Sequence, residues 1–439
     1  MDNIIINDAI TYDLRFPTSV NLDGSDARST SPDYSCVYLI LKTNKNIEGI
    51  ALSFTLGKGN SVVKKAVDEL IPIIINKSLH FIIQNMKMIY SELTNDTQMC
   101  WIGPEKGVTH LAASCILNSI WDLWCKFVNK PLWKLISEMQ TSELIDLLNF
   151  EYILSELSPA DSYNILDSNK NSRIERIDNL KKNGLVAYTT SVGWIGYSND
   201  EIIEKCKIQL ENGFKNFKMK VGNNLAQDIE RAELIRKCIG WDNKLMMDAN
   251  GVWNTECAIF NIKRLAQFRP YWIEEPTHPD DIIGHNEIQQ KIYPIKVATG
   301  EQCPNKVMFK QFLKSYSISI LQTDINRLAS VNEWLVVAML AHKFGIPMCM
   351  HAGGVGLCQM AVHLAAIDFI CISNNTTDRI TEYVEHLQEH FENPVKIRNG
   401  NYQLPETIGI GLKIKKESIE KYIYPEGYYW KNFLNIVSQ

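Results

Sequence analysis

The chain has 439 residues, 45 % of them apolar and 22 % charged, which argues against wholesale disorder, a fibrous repeat or a lone small binding module. Its 45 Lys and Arg stand against 50 Asp and Glu, and a net charge of −5 offers no basic field for a phosphate backbone, so no nucleic-acid partner is expected. Eleven cysteines, odd in number, scattered and never spaced as CxxC, speak against a disulfide framework or a thiolate zinc site and fit a reducing compartment.

The N-terminal apolar run is short and flanked by Asp2 and Asp8, unlike a signal peptide, and the later stretch LIPIIINKSLHFII is broken by Asn76 and Lys77. No membrane partner is expected, and the cytoplasm is the expected compartment, with the mitochondrial matrix as the alternative. The segments IIINDAITYDL, CVYLILKT and GIALSFTL predict a three-stranded meander. After Ser61 the period becomes helical in VVKKAVDELIPIII, IIQNMKMIYSEL and GVTHLAASCILNSIWDLWCKFV. Residues 1–150 thus read as one α+β unit and the charge-dense 151–185 as a connector.

From 186 to 394 short apolar strands alternate with amphipathic helices: VAYTTSVGW, FKNFKMKV, KLMMDAN, YWIEEP, IKVATGE, SILQTD, IPMCMH and RITEYVE. Eight such strands predict a (β/α) barrel, and no GxGxxG follows any of them, so a dinucleotide fingerprint is missing. The tail 395–439 is too short for a further domain and is expected to pack back on the first unit.

A parallel barrel gathers its reactive groups at the C-terminal strand ends. Here those ends carry Lys218 and Lys220, Asp248, Glu274, Glu301, Asp324, His351 and Glu382, and from Lys220 the successive spacings are 28, 26, 27, 23, 27 and 31 residues. Each alone has a plain structural explanation: a solvated strand edge, a turn, a satisfied histidine. Seven successive strands ending in complementary ionisable groups do not. Asp248, Glu274 and Glu301 offer three hard oxygen donors suited to Mg²⁺, with no His or Cys to favour zinc. Strand alternation lets only one of Glu274 and Glu275 face the lumen; spacing selects Glu274 and sends Glu275 outside. Lys218 and Lys220 share a strand face, where a second ammonium and a cation would lower the pKa of one towards that of a base. Asp324 is positioned to fix the tautomer of His351 from the neighbouring strand.

Other features carry less. His386 and His390, four apart, would share a helical face but lack a third metal ligand. HAGGVG lacks the lysine of a phosphate loop, and its glycines suit close backbone approach to substrate oxygens. Trp121, Trp124 and Trp133 read as a core stripe at helical spacing.

These residues resemble the enolase superfamily, in its mandelate-racemase branch, and most closely the L-fuconate dehydratases. The similar segments are RFPTS, GSDA, SPDYS, WIGPEKGV, LNSIWDLW, AYTTS, GYSND, KMKVG, MMDAN, WIEEPTHPDDIIGH, ATGEQC, HAGGVGLC and TEYVEHL, spread from residue 15 to about 390. The resemblance implies an α/β fold, a C-terminal barrel of the enolase type under an N-terminal α+β capping domain. It implies Mg²⁺ on Asp248, Glu274 and Glu301, Lys220 as the base at C2, and His351, backed by Asp324, as the acid for the 3-hydroxyl. Lys218 would sit by the substrate carboxylate. Gly24, Ser25, Asp26 and Tyr34 from the cap and Asn250, Ala352, Gly353 and Glu382 from the barrel would line the site, with Phe54 to Asn60 as a second specificity loop.

The implied reaction is dehydration of L-fuconate to 2-keto-3-deoxy-L-fuconate in a homo-oligomer. Racemisation, another acid sugar, or a noncatalytic paralogue are the competing readings. Two departures bear on substrate choice: Gly251 and Val252 replace a Gln and a basic residue usual after DAN, and RSTS follows GSDA where His and Asp are common.

Overall fold

The computed structural model describes residues 4–103 and 105–437. Three antiparallel strands, β1 (Ile6–Arg15), β2 (Ser35–Thr43) and β3 (Gly49–Thr55), form the predicted meander in the order β1-β2-β3. The helix Gly107–Phe127 lies across them, buried from Thr109 to Cys125. It approaches β3 so closely that a β-carbon on Gly49 would stand 2.3 Å from the Ser119 carbonyl oxygen. On this helix the buried Asp122 carboxylate accepts the backbone N–H of Ile50 and that of Ile410, each at 2.8 Å, tying the meander and the C-terminal segment to one point. Trp121 and Trp124 stack at 5.1 Å in this core. Trp133 is buried too, but on a separate helix, Leu132–Glu138, because Asn129 turns at φ 59 and Pro131 starts the new helix.

Eight parallel strands follow: β4 (Leu185–Gly193), β5 (Asn216–Lys220), β6 (Lys244–Asp248), β7 (Pro270–Glu274), β8 (Lys296–Thr299), β9 (Ile320–Thr323), β10 (Met348–Met350) and β11 (Thr381–Tyr383). Neighbours pair in sequence order from β4 to β10, and β11 returns to pair with β4, as a barrel requires. The connecting helices start on side-chain caps: Ser198 with Glu201 forms a capping box, and Asn224, Asn254 and Asn305 accept the free N–H groups of their first turns. Inside, Tyr188, Met246, Trp272, Ala298, Ile320, Cys349 and Ile380 pack as a small cluster separate from the main core. That layer fills the barrel beneath the strand ends, so the interior is a floor rather than a pore.

The meander and its helix dock on the barrel through buried hydrogen bonds. Ser114 donates to the Ile325 carbonyl at 2.7 Å, Trp121 Nε1 to Asn332 at 2.8 Å, and His110 Nε2 lies 2.9 Å from Glu333. The tail returns to β1, where Tyr424 donates its N–H to Asp13 and Trp430 Nε1 donates to the Arg15 carbonyl. No described helix is long and apolar enough to cross a membrane.

Candidate active site

The parallel register aligns the strand ends. Lys220 pairs with Asp248 across β5 and β6, and Asp248 with Glu274 across β6 and β7. Asp248, Glu274 and Glu301 each offer one oxygen within 4.8 Å of the other two. Asp248 Oδ1 is held by the Asn250 N–H at 2.9 Å, and Glu274 Oε2 by Trp272 Nε1 at 3.0 Å. Glu301 Oε2 is buried without a hydrogen-bond partner among the described residues. Burial and then the charge of Asp248 push Glu274 up to about 8. Crowded carboxylates with an orphaned buried oxygen fit a hard divalent cation, whose charge would relieve both strains.

Lys218 and Lys220 do point to one face, both buried. Lys218 Nζ lies 2.6 Å from Glu274, 2.9 Å from Glu382 and 3.4 Å from Asp248. Lys220 Nζ lies 2.6 Å from Asp248 and over the Trp194 ring at 5.5 Å. The expected fall in lysine pKa counts a cation beside the second ammonium; the protein's own groups by themselves act the other way. Burial opposes the charge on Lys220, but Asp248 and other carboxylates outweigh burial and Lys218 together and hold its pKa above the ordinary lysine value.

Across the mouth, His351 Nδ1 meets Asp324 Oδ2 at 2.8 Å, while Nε2 stands 3.6 Å from Glu301 and 3.7 Å from Glu382. Burial works against the imidazolium, yet Glu301, the Asp324 hydrogen bond and Glu382 raise its pKa to about 10. Glu382 itself takes a hydrogen bond from Thr190 and the Ala352 N–H at 2.9 Å. An imidazole and a lysine thus face one space from two sides of a carboxylate cluster.

That space is a cavity of about 550 Å³ under the cap. Lys220, Asn250, Glu301, His351, Gly353 and Glu382 line its floor, and Asp26, Tyr34, Phe54, Leu56 and Lys58 its roof. Gly24 and Ser25 do not line it. The Ser25 hydroxyl accepts the Gly196 N–H at 3.0 Å, and a β-carbon on Gly24 would lie 2.4 Å from the Tyr34 ring, so both shape the loop from behind. Ala352 and Lys218 likewise act from below the surface of the cavity.

Two expectations need correction. Glu275 is not outside: at φ 42 it leaves strand geometry, so alternation no longer applies, and its side chain is fully buried with Gln302 Nε2 at 3.2 Å. Burial, then Glu301, raises its pKa well above the carboxylate range. His386 and His390 share no helix. Leu387, at φ 69, turns the chain between them; His386 packs against Tyr34 and Trp194, and His390 stacks on Phe16 at 4.7 Å.

Sequence reasoning passed over Trp194 and Thr190, since it assigned no strand-end residue to β4, and over Arg28, Gln302 and Arg327, which also line the cavity. For Arg28 a signal existed in the RSTS departure.

Comparison with known proteins decides the family. Residues 19–137 match the family described as "Mandelate racemase / muconate lactonizing enzyme, N-terminal domain" and residues 201–418 that described as "Enolase C-terminal domain-like". The chain is 46 % identical over 426 residues to Mitochondrial enolase superfamily member 1 of Xenopus laevis, covering 96 % of each. The chain belongs to the enolase superfamily. Within the superfamily it is also 40 % identical over 430 residues to L-galactonate dehydratase of Hypocrea jecorina, covering 97 % of this chain and 95 % of the relative. The crystal structure of human Mitochondrial enolase superfamily member 1 superposes with a TM-score of 0.97 at 44 % identity, over 98 % of both chains. L-talarate/galactarate dehydratase of Salmonella typhimurium LT2, solved with Mg and L-lyxarohydroxamate, shares the fold at a TM-score of 0.75, 22 % identity and coverage of 95 % and 92 %.

Proposed function

We propose that the chain is a Mg²⁺-dependent acid-sugar dehydratase, removing the C2 proton and the 3-hydroxyl of a six-carbon aldonate to leave a 2-keto-3-deoxy acid. The observation that carries it is one cavity floor on which a triad of carboxylates stands between Lys220 and the hydrogen-bonded His351–Asp324 pair. L-Fuconate, giving 2-keto-3-deoxy-L-fuconate, is the substrate the motifs favour. L-Galactonate, the same chain with a hydroxyl at its far end, is favoured by the relative of that name.

Asp248, Glu274 and Glu301 would hold the ion. Bound there, it would supply positive charge to offset the negative charge that loss of the C2 proton creates. Lys220, in its neutral form, takes that proton onto Nζ. Lys218, held charged by Glu274 and Glu382, favours the neutral form of its neighbour and balances the substrate carboxylate. His351 donates the proton on Nε2 to the departing 3-hydroxyl, which leaves as water, while Asp324 keeps the ring aimed. The enol that remains tautomerises to the 2-keto acid. Tyr34, Phe54 and the cap loops exclude water from the reacting carbons. The scattered, odd-numbered cysteines favour a reducing compartment, cytoplasm or mitochondrial matrix, and the relative named Mitochondrial enolase superfamily member 1 supports the matrix.

The test is an acid-sugar screen with Mg²⁺ read by semicarbazide for 2-keto acid. Product from L-fuconate or L-galactonate that is lost on chelation is expected. Exchange of the C2 proton without loss of water would make the chain a racemase instead.

A further inference from the structure

The two places where the sequence departs from the superfamily pattern meet in space. A β-carbon built on Gly251 would lie 3.7 Å from Arg28 Nη1, and 3.3 Å from both Pro279 Cδ and the Thr277 carbonyl oxygen. The room that a side chain at 251 would take is therefore bordered by a guanidinium arriving from the cap. Val252 does not refill it. Its side chain faces the other way, towards Gly222, where a β-carbon would meet Val252 Cγ2 at 2.7 Å and Ala27 at 3.3 Å.

Arg28 stands on a fixed turn. The Asp26 carboxylate accepts the N–H of Arg28 at 2.7 Å and that of Ser29 at 2.6 Å, and Asp26 N–H donates to the Ser29 carbonyl at 2.9 Å. Asp26 is thus engaged by the backbone, and among the described residues no carboxylate pairs with the guanidinium. Arg28 lines the cavity that holds Lys220, Asn250 and His351, and also the adjoining outer hollow with His278, Pro279 and Gln302. It stands on the wall that the inner cavity shares with the outer hollow, which Gln302 also lines on both sides.

We propose that Arg28 is a specificity residue that reads the far end of the acid sugar, selecting a chain that ends in a hydroxyl or a carboxylate over one that ends in methyl. This rests on the dehydratase reading above. A guanidinium offers five donors and no acceptor, so a terminal oxygen satisfies it, whereas a methyl group strips water from it and returns no bond. Sites built to bond a substrate hydroxyl discriminate against analogues lacking it for this reason. L-Galactonate and L-fuconate differ at that one atom.

The experiment compares kcat/KM for these two acids with Mg²⁺, in the unaltered enzyme, Arg28→Met and Arg28→Lys. Calorimetry of each acid with the Mg²⁺-loaded proteins runs alongside. The unaltered enzyme is expected to prefer L-galactonate by about 10- to 100-fold, the scale of one hydrogen bond to a charged group. In Arg28→Met the preference should shrink to a few-fold, through KM with kcat little changed, and Arg28→Lys should keep part of it. A preference that survives Arg28→Met, or an initial preference for L-fuconate, overturns the assignment and leaves the dehydratase reading standing. If neither acid is turned over the dehydratase reading falls, and the calorimetric affinity ratio then decides for or against Arg28. Failure of both acids to bind overturns it.

Discussion

Asn326 grips the backbone on both sides of Ser53, taking the Phe54 N–H on Oδ1 at 3.0 Å and returning Nδ2 to the Leu52 carbonyl at 3.1 Å. The Asn326 N–H itself rests on Asp324 Oδ1 at 2.7 Å. One side chain therefore sets the register between the tip of β3, whose Phe54 ring forms part of the cavity roof, and the carboxylate that aims His351. Asn326→Ala leaves a part-buried N–H and a buried C=O unpaired, at a cost of about 1–3 kcal/mol. The expected outcome is a lowered Tm together with a KM that rises more than kcat falls, measured by calorimetric melting and steady-state kinetics.

Glu333 predicts the acid limb of stability. It is fully buried, and although burial pushes its pKa up, His110 and then Lys306, with charge and backbone N–H, overcome this and hold it near about 2, below the ordinary 4.5. A carboxylate depressed on folding stabilises above its unfolded pKa, and that stability is lost as pH falls through the folded one. The window is therefore between about 4.5 and 2, with a contribution on the order of 3 kcal/mol. Glu333→Gln should be less stable at neutral pH and should flatten the stability-versus-pH curve across that window, as read by urea melts at a series of pH values. An unchanged slope would remove Glu333 from the account of acid unfolding.

Mg²⁺ should raise the melting temperature of the unaltered protein, since a ligand that binds only the folded state stabilises it by mass action. Glu274→Gln keeps the shape and loses one charged donor. It should leave the barrel folded, weaken Mg²⁺ binding by at least about 10- to 100-fold and abolish the thermal shift at millimolar Mg²⁺. An equal shift in both proteins would place the ion elsewhere.

Lys220→Ala should lose exchange of the C2 proton with D₂O, followed by NMR, because among the described residues Lys220 is the lysine that lines the floor. His351→Asn should lose dehydration yet keep some exchange, as proton removal and hydroxide departure fall to groups on opposite sides of the cavity. Full exchange in the Lys220 variant would move the base to His351.

Most of the barrel was legible because its chemistry repeats at the βα period: Lys220, Asp248, Glu274, Glu301, Asp324, His351 and Glu382 do reach one mouth. What a linear pattern cannot carry is backbone that leaves its regular form. At Glu275 and Leu387 a positive φ turns the chain where a strand or helix rule still expected continuation. Nor can spacing express contacts between units 200 residues apart. Arg28 beside Gly251 looked like two separate losses when it is one junction. The surroundings of Lys218 are a related case, because spacing does not say that Glu274 and Glu382, from strands far apart in the chain, would close on one ammonium.

The apolar layer of Tyr188, Met246, Trp272, Ala298, Ile320, Cys349 and Ile380 governs traffic. It makes the site a blind well, with the cap over the end that opens. A molecule that enters the well has to leave by the same doorway, so two cannot pass each other and one left behind occupies the space the next one needs. Whatever clears the well passes beneath the cap loops, so Tyr34, Phe54 and Lys58 border the exit as well as the roof.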